Sequence, residues 1–195
     1  MTVFKFLSIC DTLKRVPRTG WLMRGVPAST AEDVASHSHS TAILTLLLAT
    51  QAEMNQDLGR LLTMALIHDL PEALIGDIPR SAQVANSALR IAKNKAEDEA
   101  MLQILNNLPR VHREYLTKIW KEYHEGNSLS ARIVEAADQL ATLIHAALLV
   151  KSGYPVELFS PFLVNAEGML QTLELPVIDE LLTHLRQILS HRNQD

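Results

Sequence analysis

The sequence is poor in the residues that staple or interrupt a fold. It holds one cysteine, Cys10, which excludes an intrachain disulfide framework and any cysteine-rich zinc site. Glycine (7) and proline (8) are scarce for 195 residues, and aromatic residues make up only 5%. So few breakers, set among abundant Leu and Ala, point to helices. Basic charge is not in excess: the net charge is −4 and the pI is near 6.1. A surface for a nucleic-acid polymer would have to be local, and no basic cluster supplies one. The strongest apolar run, Leu140–Val150, is 11 residues long and is interrupted by Thr142 and His145, against the ~20 that a bilayer span requires. The N-terminal stretch carries Lys5 among its apolar residues and no small-residue cleavage site, unlike a secretory signal. The chain reads as soluble and cytoplasmic, with no membrane partner.

Hydrophobic residues at 47% and charged residues at 21% describe one folded domain and exclude wholesale disorder. No stretch alternates like a strand, and the fold class is all-α. Val3, Phe6, Leu7 and Cys10 place a helix over Thr2–Leu13, broken by Pro17 and Gly20. Ser29-x-x-Glu32 reads as a capping box opening a helix over Thr30–Met54. Past the polar link Asn55–Gly59, a helix runs to about Asp69 and stops before Pro71; Pro71–Gly76 is a helical turn. A polar segment follows Pro79. The next helix, Ala88–Asn107, has a charged middle, Lys93–Glu99, that suggests a solvated face. Further helices are expected over Val111–Glu125, Leu129–Ser152, Asn165–Leu173, and from Pro176 to about His191, with Gly126 closing the first and Asn127 or Ser128 capping the second.

Four residues break the apolar pattern in chemically informative ways. The stripe Leu61, Met64, Ala65, His68 ends in an imidazole with a carboxylate, Asp69, beside it. Mid-helix the two would point ~100° apart, but Pro71 ends the helix and lets them converge past its terminus. There the helix dipole favours a cation. His37 shares a helix side with Val34, Thr41 and Leu44; His39 points the other way, so only one of the two can serve a given site. Asp138 stands among small apolar residues, where it must pair with an arginine such as Arg132 or bind a metal. Together His37, His68, Asp69 and Asp138 form a mixed nitrogen and oxygen set suited to a divalent ion such as Mn, Co, Fe, Ni or Zn. Glu72 and Asp77 follow in the segment toward which those ligands point, placed for acid–base work.

The order His37, His68-Asp69, Asp138 resembles the HD-domain metal-dependent phosphohydrolases. Three further blocks resemble the 5′-deoxynucleotidase branch of that family: Leu13-Lys14-Arg15-Val16-Pro17-Arg18-Thr19-Gly20-Trp21, Glu32-Asp33-Val34-Ala35-Ser36-His37-Ser38, and Tyr123 through Asp138. His68-Asp69-Leu70-Pro71-Glu72-Ala73-Leu74-Ile75-Gly76-Asp77-Ile78 is similar to its H-D-x-x-E-x-x-x-G-D-I block. Asp33, His39 and Arg132 depart from the usual residues without removing a ligand. The resemblance covers about residues 1–150 and implies a single HD-domain helical bundle, its metal-binding core over about 28–150 and the helices of 151–195 packed on it. It also implies a homodimer that hydrolyses deoxyribonucleoside 5′-monophosphates, small-molecule nucleotides. Arg18 would grip the phosphate. Glu72 and Asp77 would share the handling of water and leaving group. Trp21 would either lie against the sugar or anchor the first helices. The other readings are an HD enzyme for another phosphate ester (a cyclic nucleotide, a triphosphate or an alarmone) and a non-catalytic HD scaffold.

Overall fold

Apolar residues at spacings of three and four fold the chain into helices, and the computed structural model, which describes residues 3–190, contains no strand among them. The helices are α1 (Val3–Thr12), α2 (Thr19–Leu22), α3 (Val34–Gln51), α4 (Leu58–Ile67), α5 (Glu72–Ile75), α6 (Arg80–Ala85), α7 (Ser87–Leu105), α8 (Arg110–Glu125), α9 (Leu129–Lys151), α10 (Ser160–Gln171) and α11 (Pro176–Leu189). The all-α expectation holds. Thr2 and His191, the expected outer ends of the first and last helices, lie outside the described residues.

Boundaries follow local chemistry where local chemistry is strong. Asn86 accepts from the amides of Ala88 and Leu89 to open α7, and Ser128 accepts from Ala131 to open α9. Gly126, at φ 67°, takes the left-handed turn that ends α8. The largest difference is at α3, which begins at Val34 and not at Thr30. The chain here pairs with an earlier segment: Arg18 N–H donates to Glu32 C=O, and Val34 N–H to Val16 C=O, each at 2.9 Å, around an antiparallel Pro17–Asp33 bridge. Extended pairing keeps Glu32 and Asp33 out of the helix. The cap is therefore Asp33, whose Oδ1 accepts from Ser36 N–H at 2.7 Å, and the Ser29–Glu32 capping box does not form. Two further differences lie near prolines. The segment after Pro79 is helical as α6, and α10 starts at Ser160, with Pro161 in its first turn. The charged middle of α7 is not uniformly solvated, because Glu97 is buried.

The chain divides into two compact units, one made of the residues through His39 with Leu66–Gly126, the other of Ser40–Ala65 with the residues from Asn127 onward. In the first, α7 packs on α5, α6, α8 and α1, and α1 also packs on α5. Its core includes Trp21, Val34, Leu70, Met101, Ile104 and Trp120. In the second, α9, α10 and α11 pack on one another. Ile178, Leu182, Leu185 and Leu189 form the buried stripe of α11, each contributing roughly 1.5–3 kcal/mol of burial. Among the described helices, α9 alone is long and apolar enough to cross a membrane. Its apolar residues, Ile133, Val134, Leu140, Leu143 and Leu149 among them, are buried in the protein.

The cap assignment is testable. Asp33→Ala should cost about 1 kcal/mol and lower Tm by roughly 2–4 °C, while Ser29→Ala, at an exposed position, should leave the melting curve unchanged.

Candidate metal centre

Helix α4 ends at Ile67, and the chain turns at once, Leu70 N–H donating to Ile67 C=O and Glu72 N–H to Asp69 C=O. His68 and Asp69 sit in that turn, and their side chains converge beyond the helix end: His68 Nε2 lies 3.1 Å from Asp69 Oδ2. His37, on the first turn of α3, brings its Nε2 to 4.0 Å from the same oxygen. The two imidazole rings are 5.7 Å apart, tilted by 54°. One ligand atom from each of His37, His68 and Asp69 falls within 4.8 Å of the others. Both histidines are buried, and His39 is exposed. Two imidazoles and a carboxylate converging in this way fit a borderline divalent ion.

Each ligand is braced from behind. Glu32 Oε2 lies 3.5 Å from His37 Nδ1, which directs the Nε2 edge of that ring to the cluster. Tyr123, on α8, stands edge-on to His68 with centroids 5.9 Å apart. Arg18 Nη1 donates to Asp69 Oδ2 at 2.9 Å. Burial acts to raise the Asp69 pKa, but the adjoining His68, then Arg18 and His37, outweigh it and hold the carboxyl well below the usual carboxylate range.

Glu72 and Asp77 frame α5. Gly76, at φ 75°, closes this single turn and sends the chain on to Asp77. Asp77 Oδ2 accepts from the Thr19 amide, and its carbonyl accepts from Thr19 Oγ1 at 2.9 Å, so Asp77 ties its loop to the Arg18 segment. Glu72 is only 4% exposed, and its Oε2 has no hydrogen-bond partner. Burial, reinforced by the charges of Asp69 and Asp77 and opposed by Arg18 and Lys93, pushes its pKa up to about 10. Both effects favour the protonated carboxyl. Trp21 is 2% exposed, and its amide donates to the Arg18 carbonyl. Asp138 lies in the other unit, half-buried on α9, with Gln139 Nε2 donating to its Oδ2 at 3.3 Å. Arg132, the pairing partner considered for it, donates to the carbonyl and hydroxyl of Thr172.

Residues 10–159 match the HD domain family. The chain belongs to that family. It is 33% identical over 146 residues to 5′-deoxynucleotidase HDDC2 of Homo sapiens, covering 75% of this HD domain chain and 67% of the human one. The chain thus spans about two thirds of the length of such relatives. A conserved hypothetical protein from Pyrococcus furiosus shares its fold with a TM-score of 0.75 and 34% identity, over 94% of this chain and 99% of that one. An HD-domain phosphohydrolase from Listeria innocua, 19% identical, matches in fold alone, with a TM-score of 0.73 over 96% and 90% of the two chains.

Sequence reasoning gave Glu32 to a helix cap and assigned Tyr123 and Thr19 no role. The signal for Glu32 was present in Glu32-Asp33-Val34-Ala35-Ser36-His37, an acid just ahead of a histidine on the same helix entry. The state of Glu72 makes a prediction about stability. Between its ordinary value of 4.5 and about 10, the unfolded chain releases a proton that the folded HD domain retains. That difference destabilises the metal-free fold as pH rises. In metal-free protein Glu72→Gln should lessen the fall of Tm between pH 5 and 9 by several degrees; an identical slope in both proteins would mean that Glu72 is ionised in the fold.

Proposed function

We propose that this HD domain protein is a 5′-deoxynucleotidase, a metal-dependent hydrolase that releases phosphate from deoxyribonucleoside 5′-monophosphates. The observation that carries the reading is the convergence of His37, His68 and Asp69 with an arginine at its edge and the buried Glu72 carboxyl following in the same turn. A non-catalytic scaffold has no use for that combination. Asp138 is assigned as the fourth ligand by the sequence resemblance, and the family match across residues 10–159 supports one HD domain. When bound, the ion would lower the pKa of water and polarise a phosphoryl oxygen.

The protein's own groups account for the remaining steps. Arg18 binds the phosphate: a guanidinium has five donors, so a carboxylate and a phosphate can share it. Water attacks phosphorus opposite the 5′ oxygen, the P–O5′ bond breaks, and the leaving alkoxide needs a proton. Glu72, which holds one at neutral pH, is the general acid. Asp77, fixed by Thr19, takes the proton that the attacking water loses. We read Trp21 as the aromatic that anchors the Arg18 segment, given its burial, and not as a wall against the sugar. The same reading makes the protein cytoplasmic and, by resemblance, a homodimer. The exposed Phe4 and Leu7 on α1 support the latter, and light scattering of the purified chain tests it.

Five results would check the function. Chelation should abolish phosphate release, with Mn²⁺ or Co²⁺ restoring it, and Asp69→Asn should lose both bound metal and turnover. Full activity in a metal-free preparation would sink the mechanism. Glu72→Gln should retain metal yet lose ~10²–10⁴-fold in kcat. The enzyme should prefer dAMP to AMP and either to dATP. Because Trp21 is read as an anchor, Trp21→Phe should leave the dAMP to AMP ratio of kcat/KM unchanged; a changed ratio would place the ring against the sugar.

A further inference from the structure

Helix α7 carries two Lys–Glu pairs at the same i, i+4 spacing in opposite environments. Lys95 and Glu99 stand 3.9 Å apart with side chains 79% and 62% exposed, a solvated pair of little energetic weight. Lys93 and Glu97 are in direct contact, with side chains only 15% and 8% exposed. Taking such a pair from water is costly, and the next pair along shows that the helix can leave one solvated. Glu97 is approached from α8 as well: His124 Nε2 lies 3.9 Å from its Oε2. The His124 ring stands edge-on to Trp120 at 4.3 Å, and the Trp120 indole donates to Asp98 at 3.0 Å. Glu97 is thus fixed between two helices, and it fixes the Lys93 ammonium in turn.

The pair lies on helices that flank the site, since α8 sets Tyr123 edge-on to His68 as well as His124 against Glu97. Helix α7 packs on α5, whose first residue is Glu72. The Lys93 charge reaches Glu72 and, with Arg18, acts against the burial that raises that carboxyl's pKa. A phosphomonoester brings about two negative charges into a site that already contains the acidic residues Asp69 and Asp77. Arg18 meets that charge while also bonded to Asp69. We propose that Lys93, held in place by the positioning residue Glu97, is a second cationic contact for the phosphate group of the substrate. The proposal rests on the phosphomonoesterase reading above. An ammonium is a compact point charge with three donors, so it can bond Glu97 and a phosphate together.

The test uses the full chain loaded with Mn²⁺ and inorganic phosphate as the probe, read in two ways. One is the rise in Tm that phosphate produces. The other is its inhibition of nucleoside release from a deoxynucleoside monophosphate. Lys93→Met should weaken phosphate binding about 10- to 100-fold and raise KM in parallel, with a smaller change in kcat. Lys93→Arg should restore most of the loss, and Lys95→Met should behave as the parent. Since Lys93→Met leaves Glu97 buried without its cation, a double variant, Lys93→Met with Glu97→Met, replaces both by apolar side chains. It should fold with a Tm near that of the parent and still bind phosphate weakly. Phosphate binding in the double variant within about twofold of the parent overturns the proposal, as does a parent protein that phosphate does not stabilise. A parent that phosphate stabilises but that cleaves no monophosphate defeats the functional reading, and the Tm arm then decides Lys93 by itself.

Discussion

Asp69 is a carboxylate withdrawn from water, and the arrangement around it answers the cost of that withdrawal. An isolated buried carboxylate would be strongly disfavoured and would take up a proton. Here one oxygen, Oδ2, is met by His68 Nε2, by Arg18 Nη1 and, farther off, by His37 Nε2. These groups come from three stretches of chain: the segment before α2, the first turn of α3 and the turn after α4. Satisfying one largely buried charge therefore draws three separate segments to one place. The Pro17–Asp33 bridge and the Thr19–Asp77 bonds hold the same segments in register. The anchor of the site is also an anchor of the fold of its unit.

The same neighbourhood sorts two carboxyl groups into opposite states. Asp69 and Glu72 are three residues apart, and burial acts on both. Asp69 has an imidazole and a guanidinium against its oxygens and stays ionised; Glu72 has Asp69 and Asp77 for neighbours and holds its proton. A pair of titratable groups pushed in opposite directions is a common way for one site to supply an anionic ligand and a proton donor at one pH. The proposed division of roles between Glu72 and Asp77, left open by spacing alone, rests on that electrostatic asymmetry.

The readings that succeeded from sequence were those whose cause is local. Helix α8 ends at Gly126 because a left-handed turn suits glycine, and α9 begins after Ser128 because a hydroxyl satisfies an open amide. Convergence of His68 and Asp69 past the end of α4 followed from Pro71 alone. The failures had distant causes. Glu32 has the spacing of a capping residue, and only the pairing of the 16–18 segment with 32–34 removes it from the helix and turns it toward His37. Lys93 and Lys95 have near-identical surroundings in sequence and opposite ones in space, since a helix turns its residues by ~100° per step.

By itself, then, the sequence determined the helical class and most helix ends, because propensity, capping and periodicity act over a few residues. Tertiary structure decided how closely His37, His68 and Asp69 converge, which acid orients the cluster, which carboxyl keeps its proton, and which lysine is turned inward. Each of those outcomes depends on burial and on the charge of groups far away in the chain. No local pattern encodes either quantity; both exist only once the segments have been brought together.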